Sequence, residues 1–195
     1  MLKDEDYVLF SIEKILLFVH ETFFQYFEEK KEICDVSKIL QSKLKSILHK
    51  NEFIFSSLFP KGVDVFFTYE GKLIDYLGGV LNDEEPTETK SFILTKDYKC
   101  NYLYFILDTP KIKKAVELRN PILNINWLKF CFMYHVNIDY SDFVLSKDRP
   151  ILLDQYLHPL TIFEKNKDKI EELYNLKQVP DFIRILLTNK DEDEF

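Results

Sequence analysis

Two short stretches of the chain carry side chains able to hold an anion. Glu52-Phe-Ile-Phe-Ser-Ser57 reads as a strand ending in two hydroxyls, and Thr109-Pro-Lys111 opens a helix-like run. A phosphate carries nearly two negative charges and takes several donors. A helix start offers amide donors and the positive end of the helix dipole, and Lys111 adds a point charge. Thr109 and Lys111 are therefore phosphate-binding candidates, and the upstream strand ends in the hydroxyls of Ser56 and Ser57. The same helix start also satisfies plain capping, with Thr109 at the cap and Pro110 at the first position. Asp108 sets a negative charge beside the proposed phosphate.

Other reactive residue types lack partners at useful spacing. Trp127 and Cys131 stand one helical turn apart, so both read as core on one helix face. His135 follows Cys131 by four residues, a geometry open to a thiol–imidazole pair but routine in packed helices. His20, His49, His135 and His158 are scattered, and Cys34, Cys100 and Cys131 form no Cys-x-x-Cys. A zinc site or disulfide framework is not expected, and a reducing compartment fits. Gly78-Gly79 reads as a tight helix-to-strand turn, since a phosphate loop needs more glycines and a following Lys-Ser or Lys-Thr.

The bulk numbers bound the class. The chain has 195 residues, 46% of them hydrophobic and 15% aromatic, enough for a real core. Net charge is −7 with interspersed signs, which disfavours nucleic acid as a partner. The one local basic cluster is Lys111, Lys113, Lys114 and Arg119. Glu13 and Lys14 interrupt the longest apolar run, so no membrane span is expected. The N-terminal stretch lacks signal-peptide order.

The elements that must position these groups follow from periodicity. Residues from Asp4 to about Glu29 predict one long helix, with Val8, Ile12, Ile15, Leu16, Val19, Phe23 and Phe27 on one face. Leu9, Phe10, Leu17, Phe18 and Phe24 lie elsewhere on it, so more than one neighbour must bury it. Asp35 caps a second helix with Val36, Ile39, Leu40, Leu44, Ile47 and Leu48 as its stripe. From Glu52 to about Leu145, strands and helices alternate, which argues for a parallel sheet flanked by helices. Predicted strands are Glu52–Ser56, Val80–Asn82, Tyr102–Leu107 as the buried central strand, and Ile122–Ile125, with Ser91–Leu94 as an extra. Predicted helices end at Leu77, span Pro110–Leu118 and span Trp127–His135. Asn82 to Thr89 is an acidic loop, and the chain closes on a helical tail with the acidic end Asp191 to Glu194.

Taken together, these residues resemble the BRCT domain, and within it the Fcp-type phosphatases of the RNA polymerase II C-terminal domain (CTD). The matching pieces are Ile12-Glu-Lys-Ile-Leu16 with Val19-His20, Phe55-Ser-Ser-Leu-Phe-Pro60 with Gly62-Val-Asp64, and Thr109-Pro-Lys-Ile-Lys-Lys-Ala115. Asn124-Ile-Asn-Trp-Leu-Lys-Phe-Cys131 and Asp139-Tyr-Ser-Asp-Phe-Val-Leu145 complete the series. The likeness spans roughly Asp4 to Leu145. It implies an α/β BRCT fold over residues 51–145, a helical region over 1–50 and a helical tail over 146–195.

The resemblance also implies a role. Ser56 would donate its hydroxyl to a phosphate, with Lys111 as charge and Thr109 and free amides at the helix start completing the cup. Ser57 stands where the family has glycine, which costs stability if that backbone needs positive φ. The family's catalytic D-x-D-x-T is absent: Asp4 and Asp6 are followed by Val8, and Asp108-Thr109 lacks the earlier aspartate. Without those carboxylates the covalent route has no nucleophile and no acid. The chain is thus expected to be inactive alone, the portion after a catalytic module or a relative that lost one. Magnesium is expected only with an upstream catalytic module. The expected role is protein recognition, of phosphorylated CTD or another phosphoprotein, in nuclear transcription. TFIIF is a further implied partner through the acidic tail. The alternative is a structural scaffold that binds no phosphate.

Overall fold

The computed structural model describes residues 7–31, 33–87, 91–96, 109–146 and 158–172. Helices α1 (Tyr7–Lys30) and α2 (Val36–Lys45) precede strand β1 (Glu52–Phe55). A 3-10 turn (Val65–Phe67) leads into α3 (Tyr69–Tyr76), β2 (Val80–Asn82) and β3 (Phe92–Thr95). Helix α4 (Pro110–Leu118), β4 (Ile122–Asn124) and α5 (Asn126–Tyr134) follow. A second 3-10 turn (Tyr140–Phe143) and α6 (Pro159–Glu172) complete the described part.

The four strands form one parallel sheet in the order β2-β1-β3-β4. Phe53, Ile54, Phe55, Ile93, Leu94, Ile122 and Leu123 are all buried, which is why these strands read as apolar runs rather than alternations. The expected α/β architecture, a parallel sheet flanked by helices, is the one found. Phe92–Thr95, read from sequence as an extra, lies between β1 and β4, with Phe55 opposite Leu94 and Thr95 opposite Asn124. Tyr102–Leu107, expected at the centre, lies outside the described residues, as does the tail beyond Glu172. Val144 bridges Leu123 in antiparallel sense and Leu145 N–H reaches Ile122 O at 2.7 Å, so the stretch after the second turn lies along the β4 edge.

Side-chain caps set the helix starts that frame the sheet. Asp35 accepts Ser37 N–H at 2.8 Å and Thr68 accepts Gly71 N–H at 3.1 Å. Gly78 has φ +82, and a Cβ there would lie 1.8 Å from Lys45 O, so only glycine lets the end of α3 meet the end of α2. Leu48 N–H to Leu77 O at 2.9 Å and Lys50 N–H to Gly78 O at 2.8 Å tie that junction. A Cβ on Gly79 would meet the Phe53 ring at 2.8 Å. Both glycines are therefore required by close approach. At the same, N-terminal end of β1, the Glu52 carboxylate accepts from Asn82 Nδ2 at 2.9 Å and from the Ser91 hydroxyl, tying β1 to β2 and to the start of β3.

Trp127 is 1% exposed. Its indole stacks on Phe53 at 5.8 Å and Phe92 at 6.1 Å, and its N–H donates to Ile138 O at 2.8 Å. The polar edge is thus satisfied while the ring fills the space between sheet and α5.

Helix α1 packs on α2, α5 and α6. Its buried stripe is Ser11, Ile15, Phe18, Thr22 and Tyr26. Ile12, Leu16 and Phe27, read from sequence as core, face solvent instead at 38%, 62% and 39% exposure. A helix apolar on every side leaves no contrast to choose a face, and tertiary packing chose it. Facing this stripe, Lys43 on α2 is buried with its ammonium 5.0 Å from the Phe18 ring centre. Burial pulls its pKa from 10.5 down to about 8. Between those values the unfolded chain holds the extra proton, so stability rises as pH increases and the penalty is fully present below pH 8. Unfolding free energy from denaturant titrations should climb by about 2–3 kcal/mol between these limits. Lys43→Met should be flatter than the parent over that range; parallel curves would refute the assignment.

Candidate functional site

Parallel pairing sends the C-terminal ends of all four strands to one edge, where open α/β sheets place their ligands. Ser56 follows β1 there, buried, with its N–H bonded to Leu94 O at 3.0 Å. Its hydroxyl lies 2.8 Å from the hydroxyl of Thr109, 53 positions away in sequence. Thr109 is the N-cap of α4 and accepts Ile112 N–H at 3.3 Å. Lys111 and Ser57 stand on the same cleft, a space of about 750 Å³. All four sequence candidates are therefore neighbours.

The site differs from the sequence reading in two respects. Lys111 Nζ pairs with Asp83 Oδ1 at 2.8 Å, with the two side chains 24% and 56% exposed. Asp83 comes from the acidic loop after β2, which the sequence marked only as exposed. Its neighbours Glu84 and Glu85 also line the cleft. Parallel topology was the available signal, because the loop after β2 and the start of α4 both lie at strand C-terminal ends. Asp108, the carboxylate the sequence flagged, lies outside the described residues.

The second difference concerns donors. Pro110 has no N–H, Thr109 takes Ile112 N–H through its hydroxyl, and the Thr109 carbonyl takes Lys113 N–H at 2.9 Å. Among the first four helical positions of α4, that leaves the Lys111 N–H as the amide donor open to a ligand. The expected cup of several free amides is thus one amide, two hydroxyls and one ammonium. Ser57 meets the condition named from the sequence: its φ is +57, the left-handed region in which a Cβ is strained.

The remaining candidates sit in the core. Cys131 is fully buried and burial pushes its thiol up to about 12, so thiolate is scarce at neutral pH. Burial pushes the His135 imidazole down, and its Nδ1 has no hydrogen-bond partner. The pair does not form a nucleophile–base couple. Among the described residues, no group of three His, Cys, Asp or Glu side chains is placed to hold a metal ion. No described helix is long and apolar enough to cross a membrane.

No family model and no curated protein matches the chain. Solved structures do. An arginine-to-alanine variant of the fission yeast RNA polymerase II CTD phosphatase Fcp1, bound to beryllium fluoride, aligns at TM-score 0.62 and 20% identity over 75% of this chain. A second structure of Fcp1, described as an essential RNA polymerase II CTD phosphatase, aligns at TM-score 0.60, also at 20% identity and over 75% of this chain. The chain spans 39% and 40% of the length of those two proteins. At this identity the likeness is one of fold. The first BRCT domain of the DNA-repair protein XRCC1 aligns at TM-score 0.39, too low to bear on the argument.

Two outcomes test this geometry. Ser57→Gly should relieve the left-handed strain and stabilise the fold by about 1 kcal/mol. That corresponds to a rise in Tm of about 2–4 °C for a chain of this size. An unchanged or lower Tm would contradict the strained backbone. In a Cys34→Ser, Cys100→Ser variant, Cys131 should ignore a disulfide reagent at pH 8 until denaturant is added. Prompt reaction in the native state would contradict its burial.

Proposed function

We propose that this chain is a protein-recognition module of BRCT fold that reads phosphorylated peptides within an Fcp-type CTD phosphatase. The observation that carries the reading is the convergence of Ser56, Thr109 and Lys111 on one cleft at the sheet's C-terminal edge. Two hydroxyls, one free amide and one ammonium match the donor needs of a phosphate monoester. The Asp83 carboxylate holds the position against Lys111 in the unliganded chain. A phosphate, with nearly two charges and three acceptor oxygens, competes for that ammonium against a carboxylate that is itself more than half exposed.

The fold likeness to Fcp1 and the motif series support placing this module in a nuclear transcription context, with phosphorylated CTD as the leading ligand. Catalysis, with its magnesium, belongs in this reading to a separate D-x-D-x-T module. TFIIF is the further partner proposed for the acidic end, residues 191–194, which lies outside the described residues. A scaffold role has one observation in its favour: the Lys111 ammonium is already paired with Asp83.

Titration with CTD heptad peptides separates the readings. The phosphorylated peptide should bind at least tenfold tighter than the unmodified one, and Lys111→Ala should abolish the difference. Asp83→Asn should strengthen phosphopeptide binding several-fold by removing the competing carboxylate. Equal affinity for both peptides, or indifference to Lys111→Ala, would leave only the scaffold role.

A further inference from the structure

Helix α1 is covered on one side only. Its buried stripe of Ser11, Ile15, Phe18, Thr22 and Tyr26 lies on the side where α2, α5 and α6 pack. Half a turn away, Leu9, Ile12, Leu16, Leu17, Phe24 and Phe27 are exposed, with Leu9 at 57%, Leu16 at 62% and Phe24 at 49%. His20 fills a gap in that row and leans its ring on Phe24 at 4.7 Å. From Leu9 to Phe27 the row runs about 27 Å along the helix. Scattered exposed apolar residues need no explanation, but a continuous row of this length does. A helix apolar on opposite sides is normally covered on both.

The chain's own C-terminal segment has the composition to cover this face. Residues 173–195 lie outside the described residues, so the match is read from their sequence. Five of the six residues from Phe182 to Leu187 are apolar, and Pro180 suits a first helical position. Phe182, Ile183, Ile185, Leu186 and Leu187 fall within one broad arc of a helix, with Arg184 on the other side. As a helix, residues 180–187 extend about 12 Å, the distance from Leu16 to Phe24 along α1.

Tethering and charge favour this occupant over others. Helix α6 packs on the N-terminal half of α1, with the Phe163 ring 5.4 Å from that of Phe10. Glu172 ends α6 nine positions later, about 14 Å along the helix. The steps from there to Pro180 reach up to about 26 Å, and a helix is only about 10–12 Å across. A segment on so short a linker has an effective concentration on the order of millimolar, which an untethered competitor must match. Charge sets the direction. Asp4-Glu-Asp6 stands just before α1, whereas Lys30 and Lys31 close it. A segment running parallel to α1 brings the four carboxylates of residues 191–194 toward those lysines. The reverse direction sets them against three carboxylates.

We propose that residues 180–187 form an amphipathic helix docked parallel to α1 on its open face, between Leu16 and Phe24, closing the apolar row within one chain. The docking is independent of the cleft at the sheet edge and of any phosphate bound there. It removes two apolar surfaces from water at once, the row on α1 and the run from Phe182 to Leu187.

The test uses the full chain and reads both surfaces. Hydrogen exchange at the amides of residues 184–187 should be at least tenfold slower than in an unstructured peptide. Leu16→Ser/Phe24→Ser, at exposed positions, should abolish that protection while the amides of β1 and β3 keep theirs. For the converse, Leu16→Cys is placed in a Cys34→Ser, Cys100→Ser background. The cysteine introduced there should react with a disulfide reagent at least fivefold faster once Phe182→Ser/Leu186→Ser is added. Absence of protection at residues 184–187, or indifference of either readout to its paired substitutions, overturns the proposal. Protection that fades on dilution, together with a monomer–dimer transition in sedimentation, also overturns it and assigns the face to a second copy of the chain.

Discussion

Strand β1 has a parallel partner on each side, and its last backbone bond, from Ser56 N–H to Leu94 O, sets where the strand stops and the cleft begins. All that follows depends on this pairing. A shift of one residue would move Phe53 from beneath Trp127 to the other face of the sheet and carry Ser56 away from Thr109. The register is protected from three directions. Phe53 is held beneath Trp127, Gly79 meets the Phe53 ring too closely for any side chain, and the Glu52 carboxylate ties β1 to Asn82 and Ser91. The binding edge is thus specified by packing at the far side of the sheet.

At that edge the chemistry is economical. The capped start of α4 leaves one amide because Pro110 removes one donor and Thr109 occupies two. The hydroxyl pair of Ser56 and Thr109 is already satisfied internally, so a ligand must be accepted by re-orienting hydroxyl protons rather than by filling empty valences. The Lys111–Asp83 pair is partly solvated, and pairs of that kind contribute about 0–1 kcal/mol to stability. It can be exchanged for a stronger anion at little cost to the fold. An edge built this way keeps few of its donors uncommitted.

Helix α1 poses a separate constraint. It is 24 residues long and apolar around its circumference, and three neighbouring helices still leave Leu9, Leu16, Leu17 and Phe24 exposed. The buried side sets the small polar residues Ser11 and Thr22 between the large side chains of Ile15, Phe18 and Tyr26. Small side chains allow close helix approach, a packing requirement that periodicity of hydrophobicity does not encode. Lys43 belongs to the same interface, its stem packed and its ammonium over the Phe18 ring, so the junction of α1 and α2 carries a charge that burial disfavours.

What the sequence determined by itself is local or periodic. The start of α2, the boundaries of α4, the caps Asp35 and Thr109, the Gly78 turn and the interior position of Trp127 all follow from propensities that act over one or two helical turns. The alternation of strands and helices was enough to call a parallel sheet. What only the tertiary structure decided is which groups meet across long separations. The order of strands placed Phe92–Thr95, not a later apolar run, between β1 and β4, because a short buried strand carries no mark of its position in a sheet. The same order delivered Asp83 to Lys111, 28 residues away, and turned α1 so that Ile12 and Leu16 face water. Charge pairing and face selection depend on three-dimensional proximity, and linear spacing holds no record of it until the sheet has assembled.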